Sequence, residues 1–311
     1  MLNIGICTRE RPKMLKALLE SLCVSIAQAG VDVAIILVEN GPPGGAKTVA
    51  DGFADRLNIA FSNEERLGLV YARNAVVRQF LAGPHDWIAL VDDDETVAPD
   101  WLATLLKARA DFPDTDMFVG PTFRIYDASA PRILREMRQK RYRYGQKIFG
   151  SGTNNCFMHR RNFDDGEKLH LFDLAYNLSG GEDYDLFRRI KARGLVCRYI
   201  MAARTYEAVP DSRQSLKFQL SKWRHQSHCR GRVYIGLHGE IAGRLLVLFE
   251  MTRDIARIIV FSLAGSVVLV FSESRGLALL GLAMRSFAAL SGRPLALWKR
   301  LGDSYASVQG H

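Results

Sequence analysis

The chain has 311 residues, 48% of them hydrophobic and 24% charged, with a formal net charge of +9. That composition is globular and suffices for one large domain with an appendage, and the positive excess favours an anionic partner: nucleic acid, acidic lipid or a phosphorylated substrate. Five scattered cysteines (Cys7, Cys23, Cys156, Cys197, Cys229) without C-x-x-C spacing argue against a disulfide framework or zinc ribbon and fit a reducing cytosolic setting.

No signal-peptide pattern opens the chain, so it is expected to stay in the cytoplasm. Residues 3–7 read as a buried strand, broken by Thr8-Arg9-Glu10-Arg11-Pro12. Pro12 suits a helix start, and Leu15, Leu18, Leu19, Leu22 and Ile26 follow at helical spacing. A second strand over 33–38 ends at Glu39 and a Gly/Pro loop. A helix over 46–57, a strand over 59–62 and a helix over 68–81 come next. Trp87-Ile88-Ala89-Leu90-Val91 then runs into Asp92, Asp93, Asp94 and Glu95. Buried strands alternating with helices predict an α/β fold with a mostly parallel sheet, whose ligands sit at the carboxyl ends of its strands. Thr8, Glu39 and the three aspartates would share that rim.

Beyond Pro99 a helix is expected over 101–110 and a strand over 117–126. Residues 131–147 carry Arg132, Arg135, Arg138, Lys140, Arg141, Arg143 and Lys147. A polar loop over 150–155 precedes the apolar Cys156-Phe157-Met158. Gly180-Gly181-Glu182-Asp183 opens a helix over 184–193, and 196–201 is the last strand. A second basic run (Arg213, Lys217, Lys222, Arg224, Arg230, Arg232) leads into an apolar region over 241–290. Its longest uncharged run, 258–272, would span ~22 Å as a helix, short of a ~30 Å hydrocarbon core. An interfacial or re-entrant helix is expected, or else a helical hairpin packed on the soluble domain.

Two constellations could carry chemistry. The aspartates are either a solvated acidic turn or, at a strand-to-helix corner, ligands for a hard cation such as Mg²⁺ or Mn²⁺. Glu95 reads as an exposed acid at the start of the turn. Glu182 and Asp183 either complement a helix dipole or supply a general base held at a helix N-terminus. His225, His228 and Cys229 have loosely metal-like spacing without a matching second pair.

The order of these motifs resembles family 2 glycosyltransferases of the GT-A fold, and more closely the bacterial exopolysaccharide enzymes of succinoglycan type, from Asn3 to about Arg232. The resemblance implies a GT-A domain over 1–235, with a nucleotide-sugar-binding half (1–110) and an acceptor-binding half (111–235). A helical, membrane-associated extension follows over 236–311. It places Thr8, Arg11, Glu39 and the Arg73 of Ala72-Arg73-Asn74 near the donor. It assigns the D-x-D signature to Asp92-Asp93-Asp94, with Asp92 and Asp93 on the nucleotide-sugar and Asp94, with Asp92, on the metal. Glu182-Asp183 matches the E-D motif, with Asp183 as base. Gly152 and Asn154 match the acceptor loop. Trp223 belongs to Gln219-Leu220-Ser221-Lys222-Trp223, a variant of Q-x-x-R-W with Lys for Arg. Tyr206-Glu207 stands where many members have a His, so Glu207 is the candidate third metal ligand.

The implied reaction is metal-dependent, inverting transfer of a hexose, glucose by expectation, from a UDP-sugar. The implied acceptor is a lipid-diphosphate-linked oligosaccharide. The implied location is peripheral or monotopic on the cytoplasmic face of the inner membrane, against an anionic surface that the basic runs would meet. Clear multiple spans are absent, which favours single-sugar transfer. A sugar nucleotidyltransferase would need a Gly-rich loop after the first strand, which is missing here. A non-catalytic nucleotide-binding scaffold would not need Asp92, Asp94 and Asp183 together. No nucleic-acid-binding motif is present, so no nucleic-acid partner is expected.

Overall fold

The computed structural model describes residues 2–137, 142–150 and 152–298. The first half is built from Leu2–Thr8 (β1), Pro12–Ala29 (α1), Val33–Asn40 (β2), Ala46–Asp51 (α2), Asn58–Glu64 (β3), Leu69–Ala82 (α3) and Trp87–Val91 (β4). These four strands pair in parallel in the order β3-β2-β1-β4. Leu15, Leu18, Leu19 and Leu22 of α1 bury against one face of the sheet, and Val70, Val76, Val77 and Phe80 of α3 against the other. Gly5 makes the close approach of α3 to β1 possible. A methyl group there would stand 2.5 Å from Val76 Cγ1 and 2.7 Å from Leu90 Cδ2. Close packing at this point brings Arg73 of α3 to the rim.

The second half holds Glu95–Val97 (β5), Trp101–Asp111 (α4), Met117–Val119 (β6), Thr122–Ile125 (β7), Arg132–Glu136 (α5), Gln146–Ile148 (β8) and Asn155–His159 (β9). Glu182–Ala192 (α6), Cys197–Tyr199 (β10) and Thr205–Ala208 (β11) complete it. β9 joins the main sheet antiparallel to β4 and β6, β10 pairs in parallel with β6, and β8 closes the edge. A small sheet, β5-β11-β7, stands beside it.

Several expectations change. The helix over 46–57 stops at Asp51, because the N–H groups of Gly52, Phe53, Ala54 and Arg56 bond three residues back. These tighter turns sink Phe53 and Leu57 into the core. The strand over 117–126 divides at Gly120-Pro121, and its halves enter different sheets. Glu95 is not an exposed turn acid: it lies in β5, 3% accessible.

The C-terminal region is three helices, Leu216–His238 (α7), Glu240–Phe271 (α8) and Glu273–Trp298 (α9). The expected 15-residue apolar run proves to be part of one 32-residue helix. The charges that punctuate it do not break it, because they are neutralised locally. Arg253 pairs with Glu250 and Arg257 with Asp254, while buried Arg293 of α9 reaches Asp254 at 2.5 Å and Glu250 at 3.0 Å. At ~1.5 Å per residue α8 is ~48 Å long. Among the described residues it is the one helix long and apolar enough to cross a membrane, with a mean hydropathy of 2.1 over its most apolar window. Its first turn and the start of α9 are tied to the body of the protein. Gly243 abuts the α7 backbone at Ile235. At the hairpin tip, Glu273 accepts from Arg132 at 2.5 Å and Ser274 donates to Glu136, both of α5. The packed hairpin and the exposed apolar helix, opposed on sequence grounds, therefore coexist.

Candidate active site

The rim at the ends of β1 and β4 is assembled around two clusters, each pairing arginine with carboxylates. In the first, Thr8 Oγ1 donates to Asp93 Oδ2 at 2.7 Å, and Arg11 Nη1 donates to Asp93 Oδ1 at 3.0 Å and Asp94 Oδ2 at 3.2 Å. Asp93 is 5% accessible, so it is an internal anchor that joins the β1 turn to the β4 turn. Burial raises its pKa, against the pull of Arg11. Asp94 is further flanked by Arg213 at 3.7 Å.

The second cluster is centred on Arg73. Its Nη1 donates to Glu182 Oε1 at 2.5 Å and to Asp183 Oδ1 at 2.6 Å, and Nη2 lies 3.6 Å from Asp92 Oδ1. Burial alone would lower the guanidinium's pKa; Asp183, Glu182 and Asp92 outweigh that and hold it well above its usual value. Arg73 also stands over the Phe172 ring. Asn74 fixes that ring by exchanging two 2.9 Å hydrogen bonds with the Phe172 backbone. The Ala72-Arg73-Asn74 motif thus supplies both the cation and the clamp that seats it.

Glu182 is buried, and desolvation together with Asp183 pushes it up to about 7 against the pull of Arg73. Asp92 behaves alike. Its side chain is 42% accessible, yet it stands at the mouth of a crevice lined by Cys7, Arg73, Leu90 and Thr153. Desolvation there, with Asp94, Asp183 and Asp93 nearby, drives it up to about 7 in spite of Arg73. Asp183 keeps a 26% accessible side chain. Thr153 donates to its Oδ1 from Oγ1 at 2.7 Å and to its Oδ2 from the backbone at 3.4 Å. Gly180 and Gly181, at φ 75° and 103°, give the left-handed turn that starts α6 and aims Glu182 and Asp183 at Arg73.

The remaining expected residues are placed differently. Glu39 lies inside β2 and its Oε1 accepts from the backbone of Gly44 at 2.7 Å and Ala46 at 3.2 Å, so it braces the loop before α2. Gly152 adjoins Asp183; a methyl group there would lie 3.7 Å from Oδ2. Asn154 turns inward and donates to Glu95 and Thr122, both at 2.7 Å. Trp223 is not brought to the rim: it is 6% accessible and packs with Leu134 and Ala288, as a core residue between α7, α5 and α9. Glu207 is committed to Arg124 at 2.9 Å. His225 Nε2 and Cys229 Sγ both contact the Ser179 carbonyl oxygen, at 2.7 and 3.1 Å, tying α7 to the turn before α6. Of the first basic run, Arg132 and Lys147 pair with Glu273 and Asp114; Arg138, Lys140 and Arg141 lie outside the described residues. Thr153, on Asp183, and Arg213, on Asp94, are site neighbours that sequence reasoning did not single out. Their signals were a hydroxyl in a Gly-rich loop and a cation inside the second basic run.

Comparison with known proteins bears on the family and the fold. The family model described as Glycosyl transferase family 2 matches residues 3–165. The chain is 28% identical over 255 residues to the succinoglycan biosynthesis protein ExoM of Rhizobium meliloti, covering 79% of this chain and 75% of that one. It is 27% identical over 137 residues to a glucosyl-dolichyl phosphate glucuronosyltransferase of Haloferax volcanii, covering 43% and 42%. Among solved structures, the mannosyltransferase PcManGT of Pyrobaculum calidifontis with GDP-Man and Mn²⁺ superimposes with a TM-score of 0.58 at 13% identity, covering 96% of this chain and 87% of that one. A fragment of S. aureus TarS with UDP-GlcNAc gives 0.55 at 12%, covering 77% and 69%. With the carboxylate rim on a mostly parallel sheet and the family model matching more than half of its length, the chain belongs to glycosyl transferase family 2 and is a glycosyltransferase of the GT-A fold.

Proposed function

We propose that this enzyme moves a hexose, glucose in the first instance, from a UDP-sugar to a lipid-linked oligosaccharide in exopolysaccharide or surface glycan synthesis, with inversion. The observation that carries the reading is the placement of Asp183. It is partly accessible, oriented by Thr153 and Arg73, and separated by that one guanidinium from Asp92 at the end of β4. One carboxylate can take the acceptor hydroxyl proton while the opposite side of the rim holds the donor, the arrangement a single in-line displacement needs. The first half of the chain would bind the nucleotide, on the rim formed by Thr8, Arg11 and Asp92–Asp94, with Glu39 bracing the loop before α2. Residues 111–235 would bind the acceptor near Gly152 and Asn154. The relatives' names point to polysaccharide and glycolipid synthesis. The neighbours' titles pair this fold with uridine and guanosine donors.

Asp92 and Asp94 offer hard oxygen donors suited to Mg²⁺ or Mn²⁺. Among the described residues no group of three His, Cys, Asp or Glu side chains forms a metal cage. A cation there fits the mode in which one or two carboxylates hold it and substrate phosphates complete its shell. When bound, it supplies positive charge to the departing diphosphate. Arg11 and Arg213, already on Asp94, add to that charge. The test is UDP release from a panel of UDP-, GDP- and dTDP-sugars. We expect UDP-sugars to be preferred, with release lost on EDTA treatment and reduced about 10²-fold or more by Asp94→Ala. Release that ignores both EDTA and Asp94→Ala overturns the metal role.

The enzyme would work on the cytoplasmic face of the inner membrane as a peripheral or monotopic protein. Ile259, Leu263, Val267 and Val270 of α8 are 54%, 66%, 61% and 81% accessible, and Arg244, Arg253 and Arg257, each paired with a carboxylate of the same helix, precede them. An exposed apolar stripe of this kind complements a lipid surface. Because the first turn of α8 is fastened to α7 and the start of α9 to α5, the helix lies along the surface rather than across the bilayer. Leu263→Asp with Val267→Asp should release the protein from phosphatidylglycerol-containing vesicles in a flotation assay. Unchanged flotation of the folded variant rules out this face.

A further inference from the structure

Glu95 is a buried carboxyl one residue beyond the donor rim, with no part in either of the rim's charge clusters. It is 3% accessible, and its Oε2 has no hydrogen-bond partner among the described residues. A buried oxygen left in that state costs stability, so the fold alone does not call for a carboxyl here. What the carboxyl does hold is Asn154, whose Nδ2 donates to Glu95 Oε1 at 2.7 Å. The same Nδ2 donates to Thr122 Oγ1 at 2.7 Å, and Thr122 shares a 2.9 Å bond with Thr205 across the small sheet. Both amide hydrogens of Asn154 are therefore committed to that sheet.

One residue back, Thr153 contacts both oxygens of Asp183, Oδ1 from its hydroxyl at 2.7 Å and Oδ2 from its backbone N–H at 3.4 Å. Its placement therefore fixes the rotation of that carboxylate. Gly152 leaves room for the turn, since a methyl group there would stand 2.5 Å from Asn154 Oδ1. On the other side, Glu95 follows Asp94 directly, and its backbone N–H donates to the Asp92 carbonyl oxygen at 3.2 Å. One short chain of contacts thus runs from the Asp92–Asp94 turn through Glu95, Asn154 and Thr153 to Asp183. We propose that Glu95 is a positioning residue of the transfer reaction: its carboxyl holds the Thr153-Asn154 loop against the donor rim and so sets where Asp183 stands relative to the donor. This rests on Asp183 as the base, and it adds the residue that registers the base against the rim. Small misplacements of a reacting group are costly in rate, which is reason to keep a carboxyl that the fold does not need.

The test compares Glu95→Gln and Glu95→Leu in the full chain. Two quantities are read: steady-state UDP release from UDP-glucose and Mn²⁺ with water as the acceptor, and hydrogen–deuterium exchange of residues 152–155. Glu95→Gln retains an oxygen for Asn154 and should keep both the rate and the protection of the loop. Glu95→Leu should lower kcat about 10–100-fold, leave the KM for UDP-glucose and the Tm unchanged, and speed exchange across the loop. Asn154→Ala should show a similar fall, and Glu95→Leu with Asn154→Ala no further one, since the two act through one bond. The proposal fails if Glu95→Leu keeps its kcat; a lowered Tm with kcat intact marks a carboxyl that is structural only. It fails equally if Glu95→Gln falls as far as Glu95→Leu, or if the two single losses add. The reading beneath it is tested apart. A wild type that releases no UDP from UDP-glucose overturns the donor assignment, and normal release by Asp183→Asn overturns the base. In either case the exchange measurement still decides whether Glu95 holds the loop, and wild-type exchange in Glu95→Leu shows that it does not.

Discussion

Asp183→Asn should abolish sugar transfer while leaving nucleotide binding intact. The amide oxygen can keep the bonds from Arg73 and Thr153 that Oδ1 now accepts at 2.6 and 2.7 Å. What is lost is the basic oxygen that would take the acceptor's proton. General-base removal costs about 10²–10⁴ in rate, so transfer is expected to fall about 10³-fold, with the UDP dissociation constant unchanged. The measurement is UDP production with acceptor present, set beside calorimetric UDP binding to the same variant. Glu182, assigned with Asp183 on sequence grounds, should behave differently. It is buried and bonded to Arg73, so it acts by positioning the guanidinium. If Asp183→Asn transfers sugar at the normal rate, the base lies elsewhere on the rim.

The parts of the site that were legible in the sequence are those set by local rules. An apolar run that ends in acids marks the carboxyl end of β4, and the Thr8 turn sits at the equivalent end of β1. The structure joins the two through Asp93, 85 residues from Thr8. Two adjacent glycines before two acids likewise announced the start of α6. What stayed hidden depends on long-range neighbours. Glu95 looked solvated until β5 paired with β11 and Asn154 reached it from 59 residues away. Thr153 carries no motif, and its role exists only because α6 lies opposite. The α8 boundary was misjudged because its charges were counted as interruptions, whereas Asp254 and Arg293 neutralise each other across the hairpin. Trp223 shows the converse failure: a motif was legible, and packing against α5 and α9 uses the side chain otherwise.

Arg73→Met should be among the most damaging single substitutions in the chain. The guanidinium is 7% accessible and touches Glu182 and Asp183, with Asp92 at 3.6 Å. Methionine fills part of the volume but leaves the carboxylates facing one another. Removing one partner of a buried ionic cluster costs about 3–5 kcal/mol, so a marked fall in Tm is expected together with loss of transfer. The pH dependence has a defined sign. Glu182, already pushed up to about 7 by burial and Asp183, rises further once the cation that lowered it is gone. A carboxyl whose folded pKa exceeds its unfolded value of about 4.3 contributes stability that is present below that value and is lost as pH rises through the folded one. The deficit of Arg73→Met should therefore be smaller near pH 5 than near pH 8. Adding Glu182→Gln should restore about 1–2 kcal/mol at the higher pH, the size of coupling expected between contacting residues, and little at the lower. Thermal melts of the four proteins of this cycle across that range measure it. A deficit independent of pH, with no recovery from Glu182→Gln, would mean that the loss comes from the side chain's volume and not from its charge.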